Sequence, residues 1–415
     1  MKVGVIGSGG REAALSWKLS CELGAGNVFT IPGNAGIPNS RQMEVTDFKT
    51  LRTFCDRHDI RFLIIGPEKL LALGIVDAFT GSGISVLGPD SQAARLESSK
   101  FWAKEFMKKY GVATAPFYRC YGLKEARISA EKLQGNLVIK YDGLAAGKGV
   151  FVCSNMDDAE KAFQALETGF GGDAKYLVEE KLSGPELSII GFTDGNHIRL
   201  LLPSQDHKRL LDGNLGPNTG GMGVYCPVPF CNDEVMREIG ESIIQPTITG
   251  IKEEKMNYRG IIYFGVILSD RGPKLLEYNV RLGDPETQVL VPSLKSGLFE
   301  LAQACFQRRL EDANIEFMPG SCVGVVLATK DYPTRSGEGD MISGLETLES
   351  DTLVFHSGTK KVGNDFITSG GRILTVVKQA DTLDNAREKV YREIEKLRFR
   401  GMQYRRDIGA IKVCD

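Results

Sequence analysis

Short apolar segments alternate with amphipathic segments over residues 1–95, and turns containing glycine or proline separate them. This pattern predicts strands at 2–6, 27–31, 61–65 and 85–87, and helices at 11–21, 48–58 and 75–81. Such alternation is typical of a doubly wound parallel sheet, whose ligand crevice lies beyond the carboxyl ends of the strands. We therefore expect the turns at 7–10, 32–36 and 66–68 to lie along one sheet edge.

The pattern changes after residue 93. A lysine-rich helical segment, 93–110, precedes strands predicted at 137–140, 149–153, 176–179 and 186–193, with a helix at 157–166 between them. We interpret residues 113–186 as a small mobile lid. A larger β-rich region is predicted up to residue 279, followed by helices over 287–310.

A further unit begins with the apolar strand predicted at 322–328. It ends with a strand at 372–377 and an amphipathic helix at 383–397, which indicates a small α+β domain. The predicted domains are residues 1–97, 98–315 and 316–415.

Length and composition limit the classes of protein to consider. A chain of 415 residues exceeds one ordinary core, and its 42% hydrophobic and 25% charged residues are typical of a soluble globular protein. A net charge of −2 argues against nonspecific nucleic-acid binding. The longest mostly apolar run, 260–268, has the length of a buried strand, and the N-terminal apolar stretch is too short for a signal peptide. We expect no membrane partner.

The cysteine and histidine counts bear on the redox state of the thiols and on metal binding. Nine cysteines are scattered without a C-x-x-C pair, which favours reduced thiols in a cytoplasmic protein. Four histidines disfavour a histidine-built zinc site.

The most informative stretch runs from residue 276 to residue 288, after a predicted strand and turn. Side chains two apart in a strand share a face, so Glu277, Asn279 and Arg281 are predicted to project together. The opposite face is predicted to carry Leu276, Tyr278, Val280 and Leu282. A carboxylate beside an amide oxygen suits a hydrated divalent cation that holds phosphates. An arginine adds a planar anion clamp. The stretch therefore predicts metal-assisted phosphoryl chemistry.

Two glycine-rich turns are candidates for phosphate binding. Gly7-Ser8-Gly9-Gly10 follows the first strand, but Glu12 stands where a G-x-G-x-x-G fingerprint needs glycine, which disfavours a nicotinamide cofactor. Backbone N–H groups at a helix N-terminus still suit a phosphate-bearing substrate. The loop 140–149 carries lysines at its edges, but Gly149 stands where a Walker A loop needs Ser or Thr. A plain tight turn remains the alternative for the first, and a solvated hairpin for the second.

Polar segments elsewhere add candidate contacts. Glu179 and Glu186 flank a strand-to-turn stretch and suit the amino group of an adenine and ribose hydroxyls. The polar and glycine-rich segments 205–209 and 216–223 are interpreted as substrate and phosphate contacts, since polar loops on a rigid scaffold are frequent sites. Surface charge is the alternative for the acids.

Taken in order, these segments resemble the glycinamide ribonucleotide synthetase branch of the ATP-grasp family over essentially the whole chain. The resemblance depends on 7–12, 32–36, 66–68, 142–149, 204–209, 216–223 and 281–288, and Gly-Asp-Pro-Glu-Thr-Gln at 283–288 is its most specific block. It implies an α/β and α+β fold: an N-terminal doubly wound parallel-sheet (pre-ATP-grasp) domain, an ATP-grasp core with a mobile lid, and a small C-terminal α+β domain.

The activity implied by the resemblance is ATP-dependent ligation of glycine to 5-phosphoribosylamine through a glycyl phosphate intermediate. The implied partners are the small molecules glycine, 5-phosphoribosylamine and ATP, with Mg²⁺ or Mn²⁺ as the cofactor, and the chain is expected to act as a monomer. No side-chain nucleophile is needed for this reaction.

The resemblance also implies roles for individual residues. The ATP contacts implied are Lys100, Lys140, Lys148, Glu179, Glu180, Leu182 and Glu186, and the metal ligands are Glu277 and Asn279. The catalytic residues implied are Arg281, Asp284 and Lys148. The substrate contacts implied are Gly9, Gly10, Asn34, Glu68, Asp206, Lys208, Asn218, Thr219, Gly220, Arg281 and Asp284.

The sequence departs from the family pattern at a few positions. Ala13 stands where the family usually has histidine, so no substrate contact is expected there, and Tyr141 replaces a usually small residue. Three alternatives stay open: another ATP-grasp ligase or carboxylase of purine biosynthesis, a noncatalytic nucleotide-binding module, and a nicotinamide-dependent oxidoreductase.

Overall fold

Four parallel strands form the N-terminal part of the molecule in the computed structural model, which describes residues 1–145 and 149–410. They lie in the order β4-β3-β1-β2. Alternate strand residues enter different cores, since Val5 and Ile64 pack in one and Ile6 and Leu63 in the other. The predicted doubly wound sheet is therefore confirmed. The elements are β1 (Lys2–Gly7), α1 (Gly10–Leu23), β2 (Val28–Pro32), α2 (Phe48–His58), β3 (Ile60–Ile65), α3 (Glu68–Ala72), α4 (Ile75–Ala78) and β4 (Ser85–Pro89).

The three polar turns meet at the carboxyl ends of these strands, as the sequence predicts. The Gly33 N–H donates to the Gly7 carbonyl at 3.0 Å, and the Gly66 N–H donates to the Ile6 carbonyl at 2.9 Å. The turns after β1, β2 and β3 therefore form one edge.

The segment predicted as the lid forms a separate small sheet, and we keep the name lid for it. Its strands lie in the order β5-β8-β6-β7, and its helices bury Leu137, Ile139, Phe163 and Tyr176 in a core of their own. Strand β5 and helix α7 were not predicted from the sequence. The elements from residue 95 are α5 (Arg95–Ser98), α6 (Lys100–Tyr110), β5 (Phe117–Tyr121), α7 (Leu123–Lys132), β6 (Leu137–Tyr141), β7 (Val150–Cys153), α8 (Met156–Phe170) and β8 (Lys175–Glu180).

The central region joins the N-terminal sheet. Strand β15 pairs with β9, β16 and β4, so an eight-stranded mixed sheet runs through the described residues in the order β10-β9-β15-β4-β3-β1-β2, with β16 beside β15. The elements are β9 (Glu186–Thr193), β10 (Ile198–Leu200), β11 (Gln205–Asp206), β12 (Arg209–Leu211), β13 (Leu215–Asn218), β14 (Gly223–Cys226), α9 (Asp233–Ile239), α10 (Gln245–Glu253), β15 (Tyr258–Ser269), β16 (Gly272–Asn279), α11 (Thr287–Ser293) and α12 (Leu298–Phe306).

The region up to residue 279 is rich in strands, as predicted, but α9, a π-helical turn (Gly240–Ile244) and α10 interrupt it and were not predicted. The Asn232 side chain accepts from the Val235 N–H and caps the start of α9. Ile239, Ile243 and Ile251 are fully buried at spacings of four and eight residues, which is the spacing of one helical face. Tertiary packing of this stripe outweighs the strand preference of isoleucine.

The C-terminal unit shares a sheet with the central region. Strands β11 and β14 extend it in the order β11-β14-β17-β22-β19. The elements are β17 (Ser321–Ala328), β18 (Gly337–Met341), β19 (Leu353–His356), β20 (Thr359–Val362), β21 (Asp365–Gly370), β22 (Arg372–Ala380) and α13 (Leu383–Ile394). Short 3₁₀ turns lie at Ala25–Asn27, Asp212–Asn214, Leu310–Asp312 and Leu345–Thr347.

Within residues 1–145 and 149–410, no helix combines the length and the apolar character that crossing a membrane requires. The cysteines of the same ranges all carry free thiols, and most of them are buried.

Candidate active site

A cleft of about 1340 Å³ is lined by the lid on one side and by strand β16 on the other. The N-terminal unit contributes Arg11 and Glu68 to its wall, and the C-terminal unit contributes Arg372 and Arg405. Most of the residues singled out from the sequence line this one cleft: Glu68, Lys100, Lys140, Glu179, Glu180, Leu182, Glu186, Asp206, Lys208, Asn218, Thr219, Gly220, Glu277, Asn279, Arg281 and Asp284.

The cleft floor, residues 277–284, comes from the end of β16 and the turn after it. Glu277, Asn279 and Arg281 all line the cleft, and Arg281 Nη2 donates to Asn279 Oδ1 at 3.3 Å. The prediction that Leu276 faces away from Glu277 is wrong, because both residues line the cleft. The register of β15 against β16 shifts here, with Gly265 opposite Glu277 and Val266 opposite Leu275, so a bulge breaks the strict alternation.

Two carboxylates hold Arg281 in the floor. Glu97 Oε1 lies 3.0 Å from Arg281 Nη2, and Glu68 Oε2 lies 3.4 Å from Arg281 Nε. Glu97 Oε2 also accepts from the Val280 N–H at 2.7 Å. Burial lowers the pKa of Arg281, but Glu97 and Glu68 outweigh it and leave the pKa raised, so the guanidinium stays charged. The sequence reasoning missed Glu97.

A buried ion cluster links the lid to the floor. Glu179 Oε2 lies 3.1 Å from Lys140 Nζ, and Glu179 Oε1 lies 3.3 Å from Lys104 Nζ. Lys140 also donates to the Leu276 carbonyl, which the bulge presents, at 3.1 Å. Burial lowers the pKa of Lys104 to about 8. The sequence reasoning missed Lys104, although it follows Lys100 at the helical spacing of four residues.

The lysines around Glu277 decide its charge. Burial alone raises the pKa of this carboxyl, but Lys208, Lys140 and Lys100 outweigh burial and leave the pKa lowered. Glu277 is therefore an anion beside the Asn279 amide. In the described part of the chain, no group of three or more His, Cys, Asp or Glu side chains is arranged to hold a metal ion. Two oxygen donors fit a cation that takes its remaining ligands from phosphates and water.

A hairpin wall, residues 205–221, forms another side of the cleft. Its outer strand β13 is exposed, and Lys208 Nζ bonds to Glu186 Oε2 at 2.8 Å. The Thr219 N–H donates to the Lys208 carbonyl at 2.7 Å, so the two strands of the hairpin hold each other in register. Among the residues that the structure describes, Asp206 Oδ1 is buried without a hydrogen-bond partner. Burial and the charge of Glu286 raise the pKa of Asp206.

Asp284 joins the floor to the C-terminal unit. Arg372 Nη2 lies 3.1 Å from Asp284 Oδ2, and Gln288 Nε2 donates to Asp284 Oδ1 at 2.7 Å. Burial raises the pKa of Asp284, but Arg372 and Arg11 outweigh it and leave the pKa lowered. The sequence reasoning gave neither arginine a role.

Gly9, Gly10 and Asn34 do not line the cleft with the other predicted residues. The Gly9 N–H donates to Glu12 Oε2 at 2.6 Å, so this amide is already bonded. Gly9 nevertheless borders the floor, since a Cβ built on it would lie 3.2 Å from Asp284 Oδ2. The Asn34 amide donates to the Ser8 and His356 carbonyls and holds the turns together. Lys148 lies outside the described residues.

Comparison with known proteins gives the class and then the family. A family model described as "Phosphoribosylglycinamide synthetase, ATP-grasp (A) domain" matches residues 98–287, which span the lid, the hairpin wall and the floor. The fold and the cleft are therefore those of the ATP-grasp class. The N domain and C domain models of the same synthetase match residues 1–97 and 322–411.

Relatives match along the full chain. The phosphoribosylamine–glycine ligase of Clostridium acetobutylicum is 41% identical over 99% of this chain and 100% of its own length. That of Neisseria meningitidis serogroup A is 42% identical over 99% of both chains. The crystal structure of phosphoribosylamine–glycine ligase from Thermotoga maritima superimposes with a TM-score of 0.84 at 34% identity, covering 98% of this chain and 100% of that one. The chain belongs to the phosphoribosylglycinamide synthetase family.

Proposed function

We propose that this chain is an ATP-dependent carbon–nitrogen ligase that joins glycine to 5-phosphoribosylamine in purine biosynthesis. The products are glycinamide ribonucleotide, ADP and phosphate. The observation that carries the proposal is the convergence of Lys100, Lys140, Glu277, Asn279 and Arg281 on one cleft in a chain of this family. Their charges suit a triphosphate and a carboxylate substrate.

In the proposed reaction, a carboxylate oxygen of glycine attacks the γ-phosphorus of ATP, and ADP leaves. The amine nitrogen of 5-phosphoribosylamine then attacks the carbonyl carbon of glycyl phosphate, phosphate leaves, and the amine loses a proton. Phosphoryl transfer of this kind depends on positioning and charge neutralisation rather than on a protein nucleophile. Lys100, Lys140 and Lys148 are proposed to contact the phosphates, and Arg281 the transferring group.

Glu277 and Asn279 are proposed to hold a divalent cation, Mg²⁺ or Mn²⁺, which when bound would neutralise charge on the phosphates. The low pKa of Glu277 keeps this ligand charged at neutral pH. Glu179, Glu180 and Leu182 are proposed to border the adenine and Glu186 the ribose. The ion pairs with Lys104 and Lys140 orient the Glu179 carboxylate.

The two amine substrates, glycine and 5-phosphoribosylamine, are proposed to bind where the hairpin wall meets the floor. The wall side consists of Asp206, Lys208, Asn218, Thr219 and Gly220. On the floor side, Arg281 and Asp284 are proposed as substrate contacts and catalytic residues. Gly9, Gly10, Asn34 and Glu68 would border the ribose phosphate. Because the Gly9 N–H is bonded to Glu12, that turn would bind the phosphate through other groups unless Glu12 moves.

We further propose that the chain divides into domains at residues 97 and 315, acts as a monomer, and works in the cytoplasm. Light scattering coupled to size-exclusion chromatography measures the oligomeric state directly. A mass near 45.4 kDa is expected for the monomer.

The decisive experiment measures ADP release with glycine, 5-phosphoribosylamine and ATP each omitted in turn. Full ADP release only when all three are present, with glycinamide ribonucleotide identified by mass spectrometry, supports the proposal. ADP release that depends on bicarbonate or on another purine intermediate instead of glycine would identify a different ATP-grasp ligase or carboxylase. Nucleotide binding without ADP release would identify a noncatalytic module.

A further inference from the structure

The C-terminal segment 405–408 lies against the hairpin wall and is itself well anchored. Tyr391, on α13, donates its hydroxyl hydrogen to the Arg405 carbonyl at 2.9 Å and accepts from the Ile408 N–H at 3.1 Å. Arg387, one helical turn earlier, donates to the Ile408 carbonyl at 2.9 Å. The helix therefore fixes the backbone on both sides of Asp407.

From this anchored segment, Arg405 reaches the turn of the hairpin. Its side chain is almost fully buried and forms a two-bond pair with Asp407, at 2.7 and 2.8 Å. The same guanidinium donates to the Arg209 carbonyl at 3.1 Å and to Asn214 Oδ1 at 2.9 Å. A planar fork with four such bonds fixes orientation as well as distance.

Backbone groups of the turn complete the contact. Asp407 Oδ2 accepts from the Gly213 N–H at 2.8 Å, and Asp212 Oδ1 accepts from the Arg406 N–H at 2.7 Å. Gly213 and Asn214 both have positive φ, at 69° and 58°, a conformation that glycine and asparagine adopt readily in turns. The contacts from residues 405–407 stabilise it.

The hairpin turn is coupled to the cleft through its two strands. Arg209 pairs with Asn218 in the β12–β13 ladder, and the next residues, Lys208 and Thr219, are bonded to each other and line the cleft. Arg405 and Asp407 line the same cleft. Movement of the turn is thus transmitted over a short, hydrogen-bonded ribbon to the cleft residues.

We propose that Arg405 and Asp407 are positioning residues that hold the hairpin wall in the geometry needed to bind the amine substrates. They act through Lys208 and through residues 218–220, and they do not touch the reacting atoms. The proposal rests on the function proposed above, because it assigns the wall to these substrates.

The test compares full-length Arg405→Met, Arg405→Lys and Asp407→Asn with the wild type by amide hydrogen exchange and steady-state kinetics. In Arg405→Met, we expect exchange across residues 209–219 to accelerate at least ~10-fold, since local opening of the hairpin costs less free energy. The KM of glycine or of 5-phosphoribosylamine should rise ~10-fold, and the KM of ATP should change less than ~3-fold. Arg405→Lys should recover part of both effects.

The control is Lys378→Met. Lys378 is also a buried cation of the C-terminal unit, bonded to Glu349 and Asp351, but these partners do not line the cleft. Unchanged exchange in the hairpin of Arg405→Met, or equal acceleration in Lys378→Met, would overturn the proposal. If Arg405→Met does not fold, Asp407→Asn decides by the same readouts. If Arg405→Met exchanges faster in the hairpin but the wild type shows no glycine-dependent ADP release, the proposed function is refuted. The role of Arg405 and Asp407 in holding the hairpin wall would still stand.

Discussion

The floor and the hairpin wall line the same cleft but are built in different ways. The floor is the end of β16, which belongs to an eight-stranded sheet and pairs along its length with β15, and its groups Glu277, Asn279 and Arg281 lie two residues apart. The wall is a short hairpin with an exposed outer strand, and side chains of the C-terminal unit hold it. The floor thus carries charge on a rigid support, while the wall owes its position to remote contacts.

The largest effect is expected from removing charge from the floor. Glu277→Ala should lower kcat at least ~100-fold at saturating substrates and magnesium, the scale of losing one preorganised electrostatic contact in the transition state. The carboxylate faces three lysines, so its loss leaves their charges uncompensated as well.

Asp270→Ala is the matched control for this variant. Asp270 lies in the turn between β15 and β16, and its side chain is 92% exposed, so kcat should stay near the wild-type value. Near-normal kcat in Glu277→Ala would show that Glu277 does not contribute to the chemical step. The proposed contrast between a catalytic floor and a positioned wall would then fail.

The next effect concerns Arg372, which contacts both regions. Its guanidinium donates to the Gly220 carbonyl at 2.6 Å in the wall and pairs with Asp284 in the floor. Arg372→Met should lower kcat/KM roughly 10- to 100-fold, since hydrogen bonds to charged groups contribute about 1.5–3 kcal/mol each.

The pH profile of Arg372→Met separates the floor contribution from the wall contribution. Arg372 lowers the pKa of Asp284, so its removal lets this carboxyl protonate at higher pH. If Asp284 must be ionised, the acid limb of kcat/KM moves to higher pH in the variant. An acid limb that stays in place would confine the role of Arg372 to the wall. Arg400→Met, which breaks a surface pair with Asp340, serves as the control.

A smaller effect is expected from Glu97→Gln, beneath the floor. Glutamine keeps an oxygen that can accept from the Val280 N–H but removes the charge that pairs with Arg281. Because Glu68 still faces Arg281, kcat/KM should fall about 10-fold, the value of one charged hydrogen bond. Glu254→Gln, in a surface pair with Lys109, should leave kcat/KM unchanged. A Glu97→Gln enzyme with wild-type kcat/KM would show that Arg281 needs one carboxylate only.

The difference between the regions also explains what the sequence could predict. The alternation of Glu277, Asn279 and Arg281 is local, so it revealed a shared face, whereas the bulge at Leu276 depends on the register with β15 and was missed. Glu97 reaches Val280 across 183 residues of chain, and no local pattern reports such a contact. Lys104 did carry a signal, its helical spacing from Lys100, but the segment was interpreted only as a lysine-rich helix and Lys104 was given no role.

For the fold as well, local patterns were predicted and features that depend on distant residues were missed. Strands β1 to β4 and helix α2 were predicted because their periodicities are local and their turns carry glycine or proline. Helices α9 and α10 were missed because isoleucine-rich segments favour strands until packing selects the helical face. The contacts of Tyr332, Arg372 and Arg405 with the wall join residues more than 100 positions apart, and only the folded chain shows them.

The smallest effect should come from a single contact of the wall. Tyr332 accepts the Gly220 N–H at 2.8 Å, and Tyr332→Phe removes this acceptor while Arg372 still holds the Gly220 carbonyl. One neutral hydrogen bond contributes about 0.5–1.5 kcal/mol, so the KM of the amine substrates should rise roughly 3- to 10-fold with kcat unchanged. Tyr121→Phe, on the exposed side of the lid, controls for loss of a hydroxyl. A 100-fold loss of kcat/KM in Tyr332→Phe would contradict this expectation. It would mean that the contacts of Arg372 and Arg405 cannot hold the hairpin wall, and that the wall is as sensitive to one contact as the floor is to Glu277.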